Sequence, residues 1–277
     1  MEKLQAALAK ARAQRDGEPI SRGGRPELSA RAKSRRIAES EAKDSVWSAI
    51  PLFEPTARRM QQSRIFSADA SNEGTHFDIL RTKLLLEMRR NNWKRIAITS
   101  ALAGSGKTTT ACNLIAGFGR QPEVRCMLFD VDLRRPSVAK FFGATPESGL
   151  VDVFEGNVPF AEQAVRIHPN TIMSMTNRPL RDPSQLLSKQ QTAETLDEIQ
   201  QTYQPDIMLF DLPPVLVSDE TRAFLKLVDA ALIVAASDTT SIAQVDEVER
   251  EVSEYTNVAG VILNKCRFMD EGYGYSY

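Results

Sequence analysis

The 277-residue sequence predicts an α/β fold: a mostly parallel sheet with helices on both faces, preceded by a largely disordered basic arm. Three observations carry this. Short, near-continuous apolar runs alternate with stretches of helical spacing, the pattern of parallel strands covered on both sides. A glycine-bearing turn, Ala101–Thr108, stands between the first such run and a helix. Charge also divides along the chain. Residues 1–66 hold fourteen Lys/Arg against eight Asp/Glu, a balance of +6, and the remainder carries −7.

Taken in order, residues 1–65 form the arm. Leu4, Ala7, Leu8 and Ala11 lie at helical spacing with a thin apolar face, and Gly23-Gly24 and Pro26 interrupt any long helix. Val46–Pro55 is an apolar island within it, suited either to packing on the domain or to docking a partner. A domain is expected over 66–267. Phe77, Leu80, Leu84 and Leu85 predict a helix over about Thr75–Arg90, and Arg95–Ser100 reads as a buried strand. After the glycine turn a helix runs to Gly119. Further strands are expected at Cys126–Asp130, Ile172–Met175, Ile207–Asp211, Ala230–Ala236 and Val258–Asn264. Helices are expected at Ser184–Tyr203, Asp219–Leu227 and Ile242–Tyr255. Residues 268–277 form a flexible tail rich in tyrosine.

Composition narrows the function classes. Hydrophobic residues make up 42% and charged residues 26%, ordinary for a globular domain. No run approaches ~18 apolar residues, so no transmembrane helix is expected, and the N-terminus lacks a secretory pattern. Cys112, Cys126 and Cys266 are scattered singly, which fits free thiols in a reducing cytoplasm rather than a disulfide or metal site. The arm reads as a solvated segment because acidic residues are interspersed with its basic ones. Its alternative is attraction to an anionic membrane surface, and nucleic acid is not expected.

The strongest chemical signal is ALAGSGKTTT. It matches G-x4-G-K-[ST] except that Ala101 replaces the first glycine. Gly104 and Gly106 let the backbone curl so that amides from Ala103 to Thr109, Ser105 included, point at a phosphate. Lys107 would bridge phosphate oxygens, and Thr108 would offer its hydroxyl to Mg²⁺. Together with the βα pattern this makes the fold P-loop NTPase-like. Asp130 and Asp132 close the strand CMLFDVD, with Arg134 two residues on, and Asp211 closes IMLFD before Leu212-Pro213-Pro214. Ligands in open α/β sheets bind beyond the carboxyl ends of the strands, so these carboxylates are expected to converge near the polyphosphate and require a cation between.

The end of the chain is unusual. Tyr273, Tyr275 and Tyr277 alternate with Gly274 and Ser276, and the tail reads either as a sticky segment or as a phosphorylatable one.

As a set, these residues resemble the bacterial tyrosine kinases of capsule and exopolysaccharide synthesis. That family combines a phosphate loop, D-x-D-x-R, a strand ending in D-x-P-P and a C-terminal tyrosine cluster. Leu80-Arg81-Thr82, Arg134-Arg135-Pro136-Ser137, Asp182-Pro183-Ser184 and Ser218-Asp219 are lesser matches. The resemblance implies ATP as phosphate donor and the tail of a neighbouring copy as acceptor. It implies Lys107, Asp130, Asp132, Arg134 and Asp211 as catalytic residues, with Thr108, Asp132 and Asp211 holding Mg²⁺ directly or through water. Asp130 would orient or deprotonate the tyrosine hydroxyl, and Asn264 would contact the base. It further implies a homo-oligomer and a membrane-bound polysaccharide chain-length or export protein as activator, holding a cytoplasmic kinase at the inner membrane face. The chain departs from the family's ring-assembly motif E-x-x-R-x-x-R, where it has Thr75, Asp78 and Arg81.

Two other readings compete. Partitioning or positioning ATPases carry a lysine five residues before the loop lysine, where this chain has Leu102. A nucleotide-binding scaffold of a polysaccharide assembly complex would suit the altered assembly motif but not the intact Lys107 and aspartates.

Overall fold

The central strands are runs of apolar residues with no polar face, and both sides of the sheet are buried there. In the computed structural model, which describes residues 43–69 and 73–266, seven strands lie in the order β3-β4-β2-β5-β1-β6-β7. They are β1 (Arg95–Thr99), β2 (Cys126–Asp130), β3 (Val165–His168), β4 (Thr171–Ser174), β5 (Ile207–Asp211), β6 (Ala230–Ala236) and β7 (Asn257–Asn264). All neighbours run parallel except β3 and β4. The mostly parallel α/β expectation is therefore met, and β2, β5 and β6 have the expected bounds.

Alternate residues of each strand feed two cores. Ala97, Met127, Phe129, Met208, Phe210 and Ile233 face one side. Ile96, Ile98, Leu128, Ile207, Leu209 and Leu232 face the other. The second face is covered by α2 (Thr75–Asn91), α3 (Lys107–Gly119) and α4 (Val138–Phe142), preceded by a short α1 (Ala57–Gln62). The first is covered by α5 (Leu150–Phe154), α6 (Phe160–Gln163), α7 (Pro183–Leu187), α8 (Gln190–Tyr203), α9 (Asp219–Leu225) and α10 (Ile242–Ser253).

Four expectations change. The compact unit begins at Lys43 rather than at residue 66. Trp47 and Ile50, from the island whose role the sequence left open, are 1% exposed, and the Trp47 indole donates to the Tyr203 carbonyl at 2.8 Å. The amide of Phe53 donates to the Arg166 carbonyl and that of Arg166 to the Pro51 carbonyl, so the island pairs with edge strand β3. Asn113 then ties residues 64–67 to α3, giving its side-chain amide to the Arg64 carbonyl and accepting the amides of Phe66 and Ser67. The expected helix over Ser184–Tyr203 is two, α7 and α8, because Lys189 is extended and the Thr192 hydroxyl donates to the Leu186 carbonyl at the break. Strand β3 was not foreseen. Four residues with an arginine and a histidine carry no strand signal, and β4 with the Pro169-Asn170 turn recruits them.

The arm over 1–42 and the tail with Tyr273, Tyr275 and Tyr277 lie outside the described residues. No helix among the described residues is long and apolar enough to cross a membrane.

Candidate phosphate and magnesium site

The site lies at the carboxyl ends of β1, β2 and β5, where loops are free to turn toward a ligand. Residues 100–106 leave β1 and enter α3 through Gly104 at φ +80 and Gly106 at φ +99. A side chain at Gly106 would place its Cβ 2.0 Å from Asn264 Nδ2, so only glycine allows the loop and the end of β7 to meet. Asn264 donates to the Ser105 carbonyl at 2.9 Å, and its Oδ1 accepts the Lys265 amide. Its side chain therefore braces the loop, a job the base-contacting role implied by the resemblance did not foresee. The Ser100 and Ser105 hydroxyls both donate to the Leu102 carbonyl, at 2.7 and 3.0 Å, and fix the loop from inside. Ala103 and Gly104 are exposed, whereas Lys107 is buried.

Lys107 opens α3, where the free amides and the helix dipole favour an anion. Its ammonium has no ion pair among the described residues. One position on, Thr108 donates to Asp211 Oδ2 at 2.6 Å and lies 3.1 Å from the Ser137 hydroxyl. Thr109 is half-buried beside it.

Asp130 and Asp211 end adjacent strands in register. Both are wholly buried, and each leaves Oδ1 without a partner. Asp130 Oδ2 accepts the amides of Ser137 and Val138 at 3.0 Å each. Burial pushes Asp211 up to about 7, against the Thr108 hydrogen bond and the Lys107 charge that pull it down. Burial, with Asp211 as neighbour, also raises Asp130 well above the usual carboxylate range. Asp132 is half-buried, accepts the Arg135 amide at 3.1 Å, and is raised by burial despite Lys107.

The three aspartates gather at these strand ends, close enough for Asp211 and Asp132 to raise Asp130 and for Asp132 to raise Asp211. No group of three or more His, Cys, Asp or Glu positioned to hold a metal occurs among the described residues. The donor set still fits magnesium, which takes oxygen from one or two carboxylates and completes its shell with water and phosphate. The Thr108 hydroxyl and the orphaned Asp211 Oδ1 are such donors.

Arg134 is bound to carboxylates at the start of α9. Its Nε donates to buried Glu220 at 2.6 Å, with Asp219 at 3.8 Å, so it clamps the start of α9. Ser137 and Glu220 were missed as functional residues. Ser137 stood within the Arg-Arg-Pro-Ser match and Glu220 next to Ser218-Asp219, but a serine in a loop has no visible partner until strands are paired. Of the assembly-motif positions, Thr75 is exposed, whereas Asp78 and Arg81 pack toward α3. Arg81 donates to the Gly117 carbonyl at 2.7 Å, and Asp78 pairs with Arg81 and Arg120.

Comparison with known proteins accords with this geometry. The ParA family, described as NUBPL iron-transfer P-loop NTPase, matches residues 92–275. The chain is 29% identical over 199 residues to the putative tyrosine-protein kinase AmsA of Erwinia amylovora, covering 71% of this chain and 27% of that protein. It is 26% identical over 221 residues to the tyrosine-protein kinase YwqD of Bacillus subtilis, covering 78% of this chain and 92% of the relative. The chain thus spans about a quarter of the first relative and nearly all of the second. The kinase domain of the Escherichia coli tyrosine kinase ETK superposes with a TM-score of 0.66 at 21% identity, over 77% of this chain and 84% of that one, and shows the same fold.

Proposed function

Because the chain belongs to the ParA family of P-loop NTPases, we propose that it uses ATP as a protein-tyrosine kinase of bacterial capsule or exopolysaccharide synthesis. The observation that carries the reading is the pairing of Thr108 with Asp211 beside Lys107, which makes no direct ion pair among the described residues, in a chain whose relatives are named tyrosine kinases. Buried cysteines do not suit the iron transfer named in the family's description. Burial raises the Cys112 and Cys126 thiols, which disfavours the thiolate a metal needs.

In this reading the loop amides and Lys107 hold the β- and γ-phosphates, and Thr108, Asp132 and Asp211 hold Mg²⁺ directly or through water. Magnesium supplies charge neutralisation on the transferring phosphoryl group. Asp130 keeps Oδ2 on two amides and presents Oδ1 for the proton of the acceptor hydroxyl. A raised affinity for protons suits that task. Arg134 acts as a positioning residue through Glu220. The acceptors are Tyr273, Tyr275 and Tyr277 on the tail of another copy. A membrane-bound polysaccharide chain-length or export protein activates the kinase and holds it at the cytoplasmic face of the membrane.

Phosphoryl transfer depends on position and charge, so removing the lysine should abolish it. Mass spectrometry of the tail after incubation with Mg·ATP and the activating partner should find phosphotyrosine in the wild type and none in Lys107→Met. Tyrosines that stay unmodified would sink the kinase reading in favour of a nucleotide-binding scaffold. ATP hydrolysis stimulated by lipid or DNA, without phosphotyrosine, would assign a positioning ATPase instead.

A further inference from the structure

A second concave feature adjoins the phosphate site. A cleft of about 640 Å³ is lined by Arg59, Arg134, Arg135 and Lys140 and by no acidic residue, in a chain of net charge −1. Glu220 compensates Arg134 and the Arg135 charge acts on Asp132, whereas Arg59 and Lys140 make no ion pair among the described residues. The wall is built rather than incidental. Arg59 Nε donates to the Lys140 carbonyl at 2.8 Å, with Nη2 on the same oxygen. Its side chain crosses Gly143, the left-handed cap of α4, where a Cβ would stand 3.0 Å from Arg59 Cγ.

This cleft shares its frame with the aspartates. Thr176 lines it and donates to the Asp130 carbonyl at 2.8 Å, and the Arg135 amide donates to Asp132 Oδ1 at 3.1 Å. A ligand held by Arg135 therefore lies alongside the strand end that carries the candidate acceptor-orienting residue. Cations gathered in a concavity without an acidic lining residue suit a thin anionic chain, whereas a bilayer surface meets projecting charge.

The chain itself contains such a segment. Asp270 and Glu271 stand immediately before the tyrosines, and Gly272 separates them from Tyr273. We propose that the cleft is a docking subsite for an acidic peptide, the Asp270-Glu271 step of a second copy's tail. The purpose of this docking rests on the kinase reading: two residues of extended chain span about 7 Å, so Glu271 in the cleft delivers Tyr273 to its edge. Gly272 lets the chain bend between the two. The subsite thereby selects acceptor tyrosines that follow acidic residues.

Binding tests this without requiring phosphate transfer. A fluorescent peptide of residues 267–277 is titrated into the full chain, and into Arg135→Glu/Lys140→Glu checked for native circular dichroism and retained ATP binding. Reversing two charges should weaken binding about tenfold or more, and added salt should weaken the wild type similarly. A peptide with Asp270→Lys/Glu271→Lys should bind the wild type about tenfold more weakly and regain affinity for the doubly reversed protein. No binding by the wild type, equal binding of both peptides, or no recovery with the swapped charges overturns the proposal. Anionic phosphatidylglycerol vesicles that bind the wild type but not the variant, with peptide binding unchanged, would assign the cations to a membrane instead. A kinase reading that fails while the charge swap succeeds leaves a docking site without transfer, so the two failures are distinguishable.

Discussion

Asp211 and Gly106 show how single residues set the site's properties. Asp211 has an ordinary pKa of 3.8 and a folded value of about 7, so the folded protein binds the proton more tightly than the unfolded one. Its contribution to stability is therefore fully present below ~pH 4 and lost as pH rises to about 7. The span corresponds to at most about 4 kcal/mol. In the absence of magnesium, Asp211→Asn should be more stable than the wild type by ~1–4 kcal/mol at pH 8. The difference should shrink steadily toward pH 4, as followed by thermal unfolding in a chelator. A variant that is no more stable at pH 8 would show that Asp211 is not strained by burial. Gly106 combines φ +99 with a 2.0 Å approach to Asn264. Gly106→Ala should cost ~1–3 kcal/mol in denaturant unfolding and weaken nucleotide binding. Adding Asn264→Ala should recover the clash but not the backbone strain. Both effects were partly legible beforehand, since the motif names the glycine and the aspartate. Asn264 as its neighbour was not, because 157 residues of chain separate the two.

Among the elements, the island over Val46–Pro55 changed most between sequence and structure. Its residues alone could equally have bound a partner. What settles its place is Trp47, wedged edge-on against Tyr203 with ring centroids 6.5 Å apart and its indole paired to a buried carbonyl. Trp47→Ala should therefore cost ~3–5 kcal/mol in equilibrium unfolding, as a core truncation does. Truncation of a surface-bound tryptophan would cost under ~0.5 kcal/mol. Strands β2, β5 and β6 could be read directly because both faces are buried and every residue is apolar or a terminal aspartate. The split between α7 and α8 could not, since local spacing continues across Lys189 and only the tertiary seat of Leu186 and Leu187 breaks it.

Across the whole described fold, burial decreases from the middle of the sheet to its ends. β1, β2 and β5 are flanked by strands on both sides, whereas β7 is an edge with Val261 and Leu263 about half exposed. Hydrogen exchange should show β1, β2 and β5 opening only with global unfolding, while β3 and β7 exchange at lower free energy. Uniform protection across all seven strands would contradict that ranking. The α/β class, the phosphate loop and the strand-end aspartates were legible in the sequence because each depends on local order: residue spacing, strand period and the position of a charge at a strand's end. Strand order was not legible, and with it went the pairing of Asp130 with Asp211, the Thr108–Ser137 contact and the clamp of Arg134 on Glu220. These depend on which strands lie side by side, a choice made by packing two cores at once rather than by any segment. The phosphate loop is thus written in eight consecutive residues, while the aspartates facing it become a site only when the sheet assembles.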